Sequence, residues 1–262
     1  MTSQEDLARL IAGAEAAADV AGAVIRPFFR ARLSAELKSD QSPVTVADRS
    51  AEQAMRAVLA ERFPDYGVAG EEFGRDRPEA RRCWVLDPID GTRAFITGRP
   101  LFGTLIALLE DDRPVLGIID QPVTGERWIG AAGRATVFRG PMGGEAGCRP
   151  CPTLGEAELS CTTPAMLGED MPRWQRLADE VRRVSWGGDC YAYGLLALGL
   201  LDVIAEASMH LWDWAALVPI IEGAGGRITD WSGQALRPDG DGSVLAVGDP
   251  GLLDAAVARL AA

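Results

Sequence analysis

Trp84-Val85-Leu86-Asp87-Pro88-Ile89-Asp90-Gly91-Thr92-Arg93 begins as an apolar run and ends on a turn. The run reads as a buried strand. Two carboxylates follow, three residues apart, with a proline between them. Proline fixes its own φ and biases Asp87 toward extended backbone. Asp87 is therefore expected at the strand end and Asp90 in the turn beyond it. Gly91 lets the chain turn, and Thr92 offers a hydroxyl on the next segment. Both carboxylates can then face one point. Close carboxylates repel unless a proton or a cation sits between them. A hard, oxygen-seeking divalent metal suits that place.

Composition narrows the chemistry further. Among 262 residues there is one histidine, His210. Ser-His-Asp and Cys-His catalysis both need an imidazole beside the nucleophile. His210 lies between Met209 and Leu211, just before an expected helix start, and reads as structural or lining. Any hydrolysis then rests on metal and carboxylate. The net charge of -12 argues against nucleic acid and anionic membranes as main partners. No stretch is long and apolar enough to span a bilayer. Residues 1–6 are acidic and polar, unlike a secretory signal, so a cytoplasmic location is expected. A hydrophobic content of 47% is ample for one large α/β unit or two packed halves.

The five cysteines, Cys83, Cys148, Cys151, Cys161 and Cys190, are scattered and odd in number, unlike a disulfide framework. Cys148 and Cys151 form a C-x-x-C. It lacks the second pair that a zinc site needs and reads as a surface loop.

Along the chain, residues 3–32 read as an amphipathic helix capped by Ser3, with Leu7, Leu10, Ile11, Ala14, Ala18 and Ala21 on one face. Pro43 forbids helix. Thr45 and Asp48 then form a capping box that opens a helix over 46–62. Read alone, Asp48 is equally a plain cap or a group orienting a water or hydroxyl. A short strand over 67–70 leads to Glu71 and Glu72, one of which can point inward. Strands follow at 102–110 and 114–120, with a hairpin over 126–130 and 134–138.

The Gly/Pro/Cys-rich stretch 139–158 divides an α+β half (1–140) from an α/β half (141–262), the two packed as one unit. The second half alternates strand and helix, with helices at 171–183 and 190–200. Gly187-Gly188 at a helix start leaves N–H groups for an anion. Asp213 reads as the N-cap of a helix ending at Gly223. Glu206 supplies a second carboxylate nearby.

Gly70-Glu71-Glu72, the stretch 84–92, and Trp212-Asp213 followed by Glu222-Gly223-Ala224-Gly225-Gly226 together resemble the inositol monophosphatase superfamily over nearly the whole chain. The resemblance implies a layered αβαβα sandwich like that of fructose-1,6-bisphosphatase. It also implies Mg²⁺-dependent hydrolysis of phosphate monoesters, with two or three Mg²⁺ per site.

Carried over by residue, it assigns Glu71, Asp87 and the Ile89 carbonyl to one Mg²⁺, and Asp87, Asp90 and Asp213 to another. Thr92, oriented by Asp48, activates the attacking water, with Glu71 as a further catalytic group. Gly91 and Thr92 receive the phosphate beside Arg93. Gly188, Asp189, Glu206, Asp90 and Asp213 fall where the family holds the alcohol part of its substrate. A homodimer is the family's usual assembly.

Asp90-Gly91-Thr92-Arg93-Ala94-Phe95, Ile119-Asp120-Gln121-Pro122 and Gly187-Gly188-Asp189-Cys190-Tyr191-Ala192-Tyr193 look most like the histidinol-phosphatase branch. An acidic corner suits the ammonium and imidazole of histidinol phosphate. A neutral polyol needs no such charge.

Overall fold

Alternation along β5 (Arg82–Asp90) sets the layers. Trp84 and Leu86 pack into one hydrophobic cluster, whereas Val85 packs into another on the opposite face. Side chains two residues apart share a face, so Asp87 lies on the Val85 side. The computed structural model describes residues 4–31, 36–37 and 43–261. The expected Ser3 cap lies outside them.

The elements before β5 are α1 (Gln4–Ile25), β1 (Glu36–Leu37), β2 (Pro43–Val44), α2 (Val46–Arg62), β3 (Gly67–Gly70) and β4 (Gly74–Asp76). After it come α3 (Thr92–Ile96), β6 (Gly103–Glu110), β7 (Arg113–Gln121), β8 (Glu126–Ala131) and β9 (Val137–Arg139). The second half supplies β10 (Glu158–Cys161), α4 (Met171–Ala178), β11 (Arg183–Trp186), α5 (Asp189–Ala197), β12 (Val203–Glu206) and α6 (Leu211–Trp214). It ends with α7 (Leu217–Gly223), β13 (Arg227–Thr229), β14 (Val244–Val247) and α8 (Leu253–Ala261).

Seven strands form the first sheet, ordered β4-β3-β5-β6-β7-β8-β9. The β3–β5 pair is parallel and the others antiparallel. Five strands form the second, ordered β11-β10-β12-β14-β13, mixed in direction. Helices α1 and α2 cover the Trp84 face of the first sheet. Helices α5 and α7 fill the space between the sheets, against Val85, Leu105 and Trp128 on one side and Ile204, Val244 and Ala246 on the other. Helices α4 and α8 cover the outer face of the second sheet through Trp174, Leu177, Ala256 and Leu260. The result is the expected αβαβα sandwich.

Several boundaries differ from the sequence reading, each for a local reason. The first helix stops at Ile25, and residues 26–28 tighten into a 3₁₀ turn around Pro27, which has no N–H to continue the ladder. β5 runs through Asp90 rather than ending at Asp87. Its pairing with β6 is interrupted between Asp87 and Asp90, where Pro88 lacks a donor. The fourth helix ends at Ala178, because Arg182 N–H is drawn to the Ala157 carbonyl on the way into β11. The helix expected to run to Gly223 is two helices, α6 and α7, since Pro219 removes the donor that would join them.

Candidate active site

The same alternation places a carboxylate from each sheet in the middle layer. In β12, Val203 and Ala205 face the outer helices and Ile204 faces inward. Glu206, two residues on, therefore points inward as Asp87 does. Asp87 is 2% exposed and Glu206 3%.

The chain turns sharply after Asp90. Gly91 adopts φ 88°, a left-handed conformation that glycine tolerates freely. A Cβ there would also lie 2.9 Å from Asp189 Cγ, so the turn admits close approach of α5. Asp90 reaches the same helix start and accepts the Cys190 N–H at 2.6 Å. Thr92 opens α3 immediately afterwards, where the first N–H groups have no intrahelical acceptor.

Asp213 completes the cluster from the second half. It is the third residue of α6 rather than its N-cap. His210 occupies the cap, and Asp213 Oδ2 accepts the His210 N–H at 2.7 Å. The His210 ring is exposed and lies against Trp212, with ring centroids 5.0 Å apart. Oxygens of Asp87, Asp90 and Asp213 all lie within 4.8 Å of one another.

Among the described residues, the largest charge effects on Asp87 and Asp90 come from other carboxylates. Burial pushes the Asp87 carboxyl well above the usual range, and Glu71, Asp90, Asp213 and Asp48 push it further. Asp90 is pushed up to about 8 by burial, then by Asp213. Such converging oxygens fit a hard divalent cation, and Mg²⁺ is among those favoured by carboxylate donors. Glu71 lies outside the 4.8 Å set, yet its charge bears on both Asp87 and Asp48. Ile89 is fully buried, its N–H donating to Asp87 Oδ1 at 3.0 Å. Its carbonyl accepts the Thr92 hydroxyl at 3.2 Å.

The capping box of α2 is present and does more than close a helix end. Asp48 Oδ2 accepts the Thr45 N–H at 2.9 Å and its hydroxyl at 2.5 Å. The other oxygen, Oδ1, faces Thr92 Oγ1 at 3.5 Å, longer than an ordinary O–H···O bond. Burial raises the Asp48 carboxyl, with Thr45 opposing and Glu71 adding to the rise.

A cavity of about 120 Å³ adjoins the cluster, lined by Asp90, Asp213, Asp189, Glu206, Thr162 and Tyr193 among others. Glu206 accepts the Thr162 N–H at 2.7 Å and the Tyr193 hydroxyl at 2.9 Å. Asp189, at φ 44°, is pushed up to about 8 by burial and by Asp90 and Glu206. Arg93, exposed on the first turn of α3, pulls it back.

The Gly187-Gly188 corner does not present the open anion cradle that its glycines suggested. The Asp189 N–H is given to Thr162 Oγ1 at 3.1 Å, and the Cys190 N–H to Asp90. Thr162 and Glu52 carried no functional expectation. Thr162 has no sequence signal. Glu52 had one, lying four residues after Asp48 on the same helix.

Cys148 and Cys151 stand as free thiols. Burial pushes Cys148 up to about 11 and raises Cys151 as well, which disfavours the thiolates that redox chemistry or zinc requires.

Comparison with known proteins agrees with this arrangement. The sequence model of the inositol monophosphatase family matches residues 6–261. The chain belongs to the inositol monophosphatase family. A chloroplastic bifunctional phosphatase of Arabidopsis thaliana, IMPL2, is 46% identical over 247 residues, covering 93% of this chain and 70% of its own. A histidinol-phosphatase of Mycobacterium tuberculosis is 38% identical over 243 residues, covering 89% and 91%.

A solved inositol monophosphatase from Zymomonas mobilis superposes with a TM-score of 0.88 at 49% identity, covering 96% and 97%. Membership makes the protein a phosphoric monoester hydrolase, a class represented in the family by both histidinol-phosphatases and inositol monophosphatases. Among the described residues, no helix is long and apolar enough to cross a membrane.

Proposed function

We propose that the protein is a Mg²⁺-dependent histidinol-phosphatase, releasing L-histidinol and phosphate in histidine biosynthesis. The observation that carries this reading is the acidic cavity beside the cluster. Asp189 and Glu206 add two more carboxylates to Asp90 and Asp213, and the exposed Arg93 opposes Asp189. Crowded buried carboxylates are costly unless a counter-charge joins them. The amine and imidazole of histidinol phosphate supply such a charge on the alcohol side. Relatives named histidinol-phosphatase add support.

In this reading Glu71, Asp87, the Ile89 carbonyl, Asp90 and Asp213 hold the metal. Bound there, divalent cations supply Lewis acidity to the ester oxygens and to the attacking water. The N–H groups of Gly91 and Thr92 receive the phosphate, as fits the unpaired start of α3. Thr92 Oγ1 and Asp48 Oδ1 form the pair that takes up the water's proton. The raised Asp48 carboxyl brings the base nearer neutral pH, where general bases work best. They stand 3.5 Å apart. Asp189 and Glu206 hold the cationic end, and Arg93 flanks the phosphate.

A second reading is an inositol monophosphatase or a phosphatase of broad range, favoured by the 49% identical Zymomonas structure. Glu206, already fixed by Tyr193 and Thr162, can also accept a hydroxyl. Steady-state kinetics with histidinol phosphate and inositol 1-phosphate separate the two. A kcat/KM at least tenfold higher for histidinol phosphate, about 1.4 kcal/mol, is expected. Equal or better turnover of the inositol ester overturns the assignment.

The homodimer belongs to the same proposal. It is supported by the edge strand β11, whose Val184 and Trp186 are 37% and 46% exposed. Sedimentation equilibrium giving a monomer mass rejects it.

A further inference from the structure

Glu52 is fully buried on α2, one turn beyond Asp48. Its carboxylate accepts the Glu72 N–H at 2.7 Å, the Phe73 N–H at 3.3 Å and Arg56 Nε at 2.7 Å. Gly70 is what lets it arrive. A Cβ at that position would lie 2.0 Å from Glu52 Oε1. The carboxylate thus threads the turn between β3 and β4 from beneath.

The consequence falls on the residue inside that turn. The Glu71 N–H is held by the Leu86 carbonyl at 3.2 Å, on the strand that continues into Asp87. The next N–H, that of Glu72, is held by Glu52, on the helix that carries Asp48. The peptides on both sides of Glu71 are therefore anchored, one to each wall of the site. A glutamine has one acceptor oxygen where the carboxylate has two, so it cannot accept all three donors and must turn its NH₂ toward one of them. An anion buried at this depth costs several kcal/mol unless its hydrogen bonds and partner are in place, as they are here.

We propose that Glu52 is a positioning residue for Glu71, holding its backbone so that the carboxylate faces Asp87. The inference rests on Glu71 serving as a metal ligand. Groups that orient metal ligands without touching the metal typically change affinity 10–100-fold when removed.

Mg²⁺ binding to the full chain is measured by titration calorimetry for Glu71→Gln, Glu52→Gln, Glu52→Ala, Gly70→Ala and the Glu52→Ala/Gly70→Ala double variant. Steady-state kinetics at saturating Mg²⁺ accompany it. Glu52→Gln and Gly70→Ala are each expected to weaken Mg²⁺ binding about tenfold. The KM for the phosphate ester at saturating Mg²⁺ stays within about twofold, since no substrate contact is lost. In the Glu52→Ala background, Gly70→Ala adds nothing, because the atom it would strike is gone.

Unchanged affinity in Glu71→Gln overturns the ligand reading itself. Weakened affinity in Glu71→Gln with wild-type affinity in Glu52→Gln and Gly70→Ala overturns the positioning role alone. A lowered melting temperature in those two variants without a change in Mg²⁺ affinity does the same, since it marks a purely structural residue.

Discussion

Asp87 and Asp120 are buried carboxylates two strands apart in one sheet, 2% and 6% exposed, and they have opposite surroundings. Asp120 points to the α1 face, beside a cavity of about 390 Å³. There Arg127 Nε donates to it at 2.7 Å, and the same guanidinium reaches Asp19 at 2.7 Å. Burial pushes the Asp120 carboxyl up and Arg127 pulls against it. Asp87 points to the middle layer, where Glu71, Asp90, Asp213 and Asp48 are the neighbours that bear on it most, all of them negative. One carboxylate is neutralised from within the chain. The other sits among further carboxylates, a setting that suits a bound cation. Burial alone therefore does not mark a functional acid; the sign of its neighbours does.

Asp87→Asn breaks the contrast most severely. It removes an oxygen donor and also one of the repelling charges. Metal catalysis of this kind contributes several kcal/mol, so kcat should fall about 10³-fold or more. The fold should persist, and in chelator the variant should melt no lower than wild type. Turnover within severalfold of wild type, in a phosphate-release assay, defeats the assigned role.

Asp120→Asn tests the other side. It leaves Arg127 partly buried with Asp19 and, more distantly, Glu15 as remaining partners. Removing one member of a buried pair costs up to about 3–5 kcal/mol. With those partners retained, about 2 kcal/mol in urea unfolding is expected, with kcat per folded molecule unchanged. A large loss of kcat at full stability would mean that the α1 face takes part in catalysis.

The metal-free protein should also show the contrast through pH. An acid whose pKa is raised on folding binds a proton that the unfolded chain has released. Asp90 is raised from 3.8 to about 8, so between those values the folded state carries the extra proton. Stability then falls as pH rises through that window. In chelator, thermal melting should drop between about pH 6 and pH 8.5, and Asp90→Asn should flatten the slope. Saturating Mg²⁺ should raise melting most at the alkaline end, by mass action on the deprotonated site. A pH-independent response to Mg²⁺ would count against carboxylate ligation.

How much of this the residues disclosed depends on range. The β5 stretch disclosed its strand, its turn and its paired acids because the deciding interactions lie within ten residues. Thr45 and Asp48 disclosed a cap for the same reason. Asp87, Asp90 and Asp213 converge from residues 126 apart, and no local rule brings α6 to β5; only the family resemblance joined them in the sequence.

The anion reading of Gly187-Gly188 failed on tertiary contacts. Thr162 and Asp90 claim the N–H groups that the glycines leave open. Asp213 was read one role too simply, since a carboxylate at the third helical position can bond back to the cap residue. Glu52 stayed hidden because its partners, the Glu72 and Phe73 N–H groups, are 20 and 21 residues away.

The smallest effect separates the two acidic regions of the site itself. The Asp87 cluster is expected to act on turnover, and Asp189 on substrate affinity. Asp189 packs against Gly91 and lines the cavity with Glu206. It makes no part of the three-carboxylate group. Asp189→Asn keeps the shape and removes the carboxylate that the proposed function sets against the cationic end of histidinol phosphate. A partly screened ion pair is worth about 1–1.5 kcal/mol, so KM should rise about tenfold with kcat within about twofold.

Arg93 opposes Asp189 in the wild type, so Arg93→Gln should shift KM the other way for a cationic substrate. A neutral phosphate ester lacks the ammonium and should show no such rise in KM with Asp189→Asn. If both esters respond alike, the corner is reading shape rather than charge, and the polyol reading gains what the histidinol reading loses.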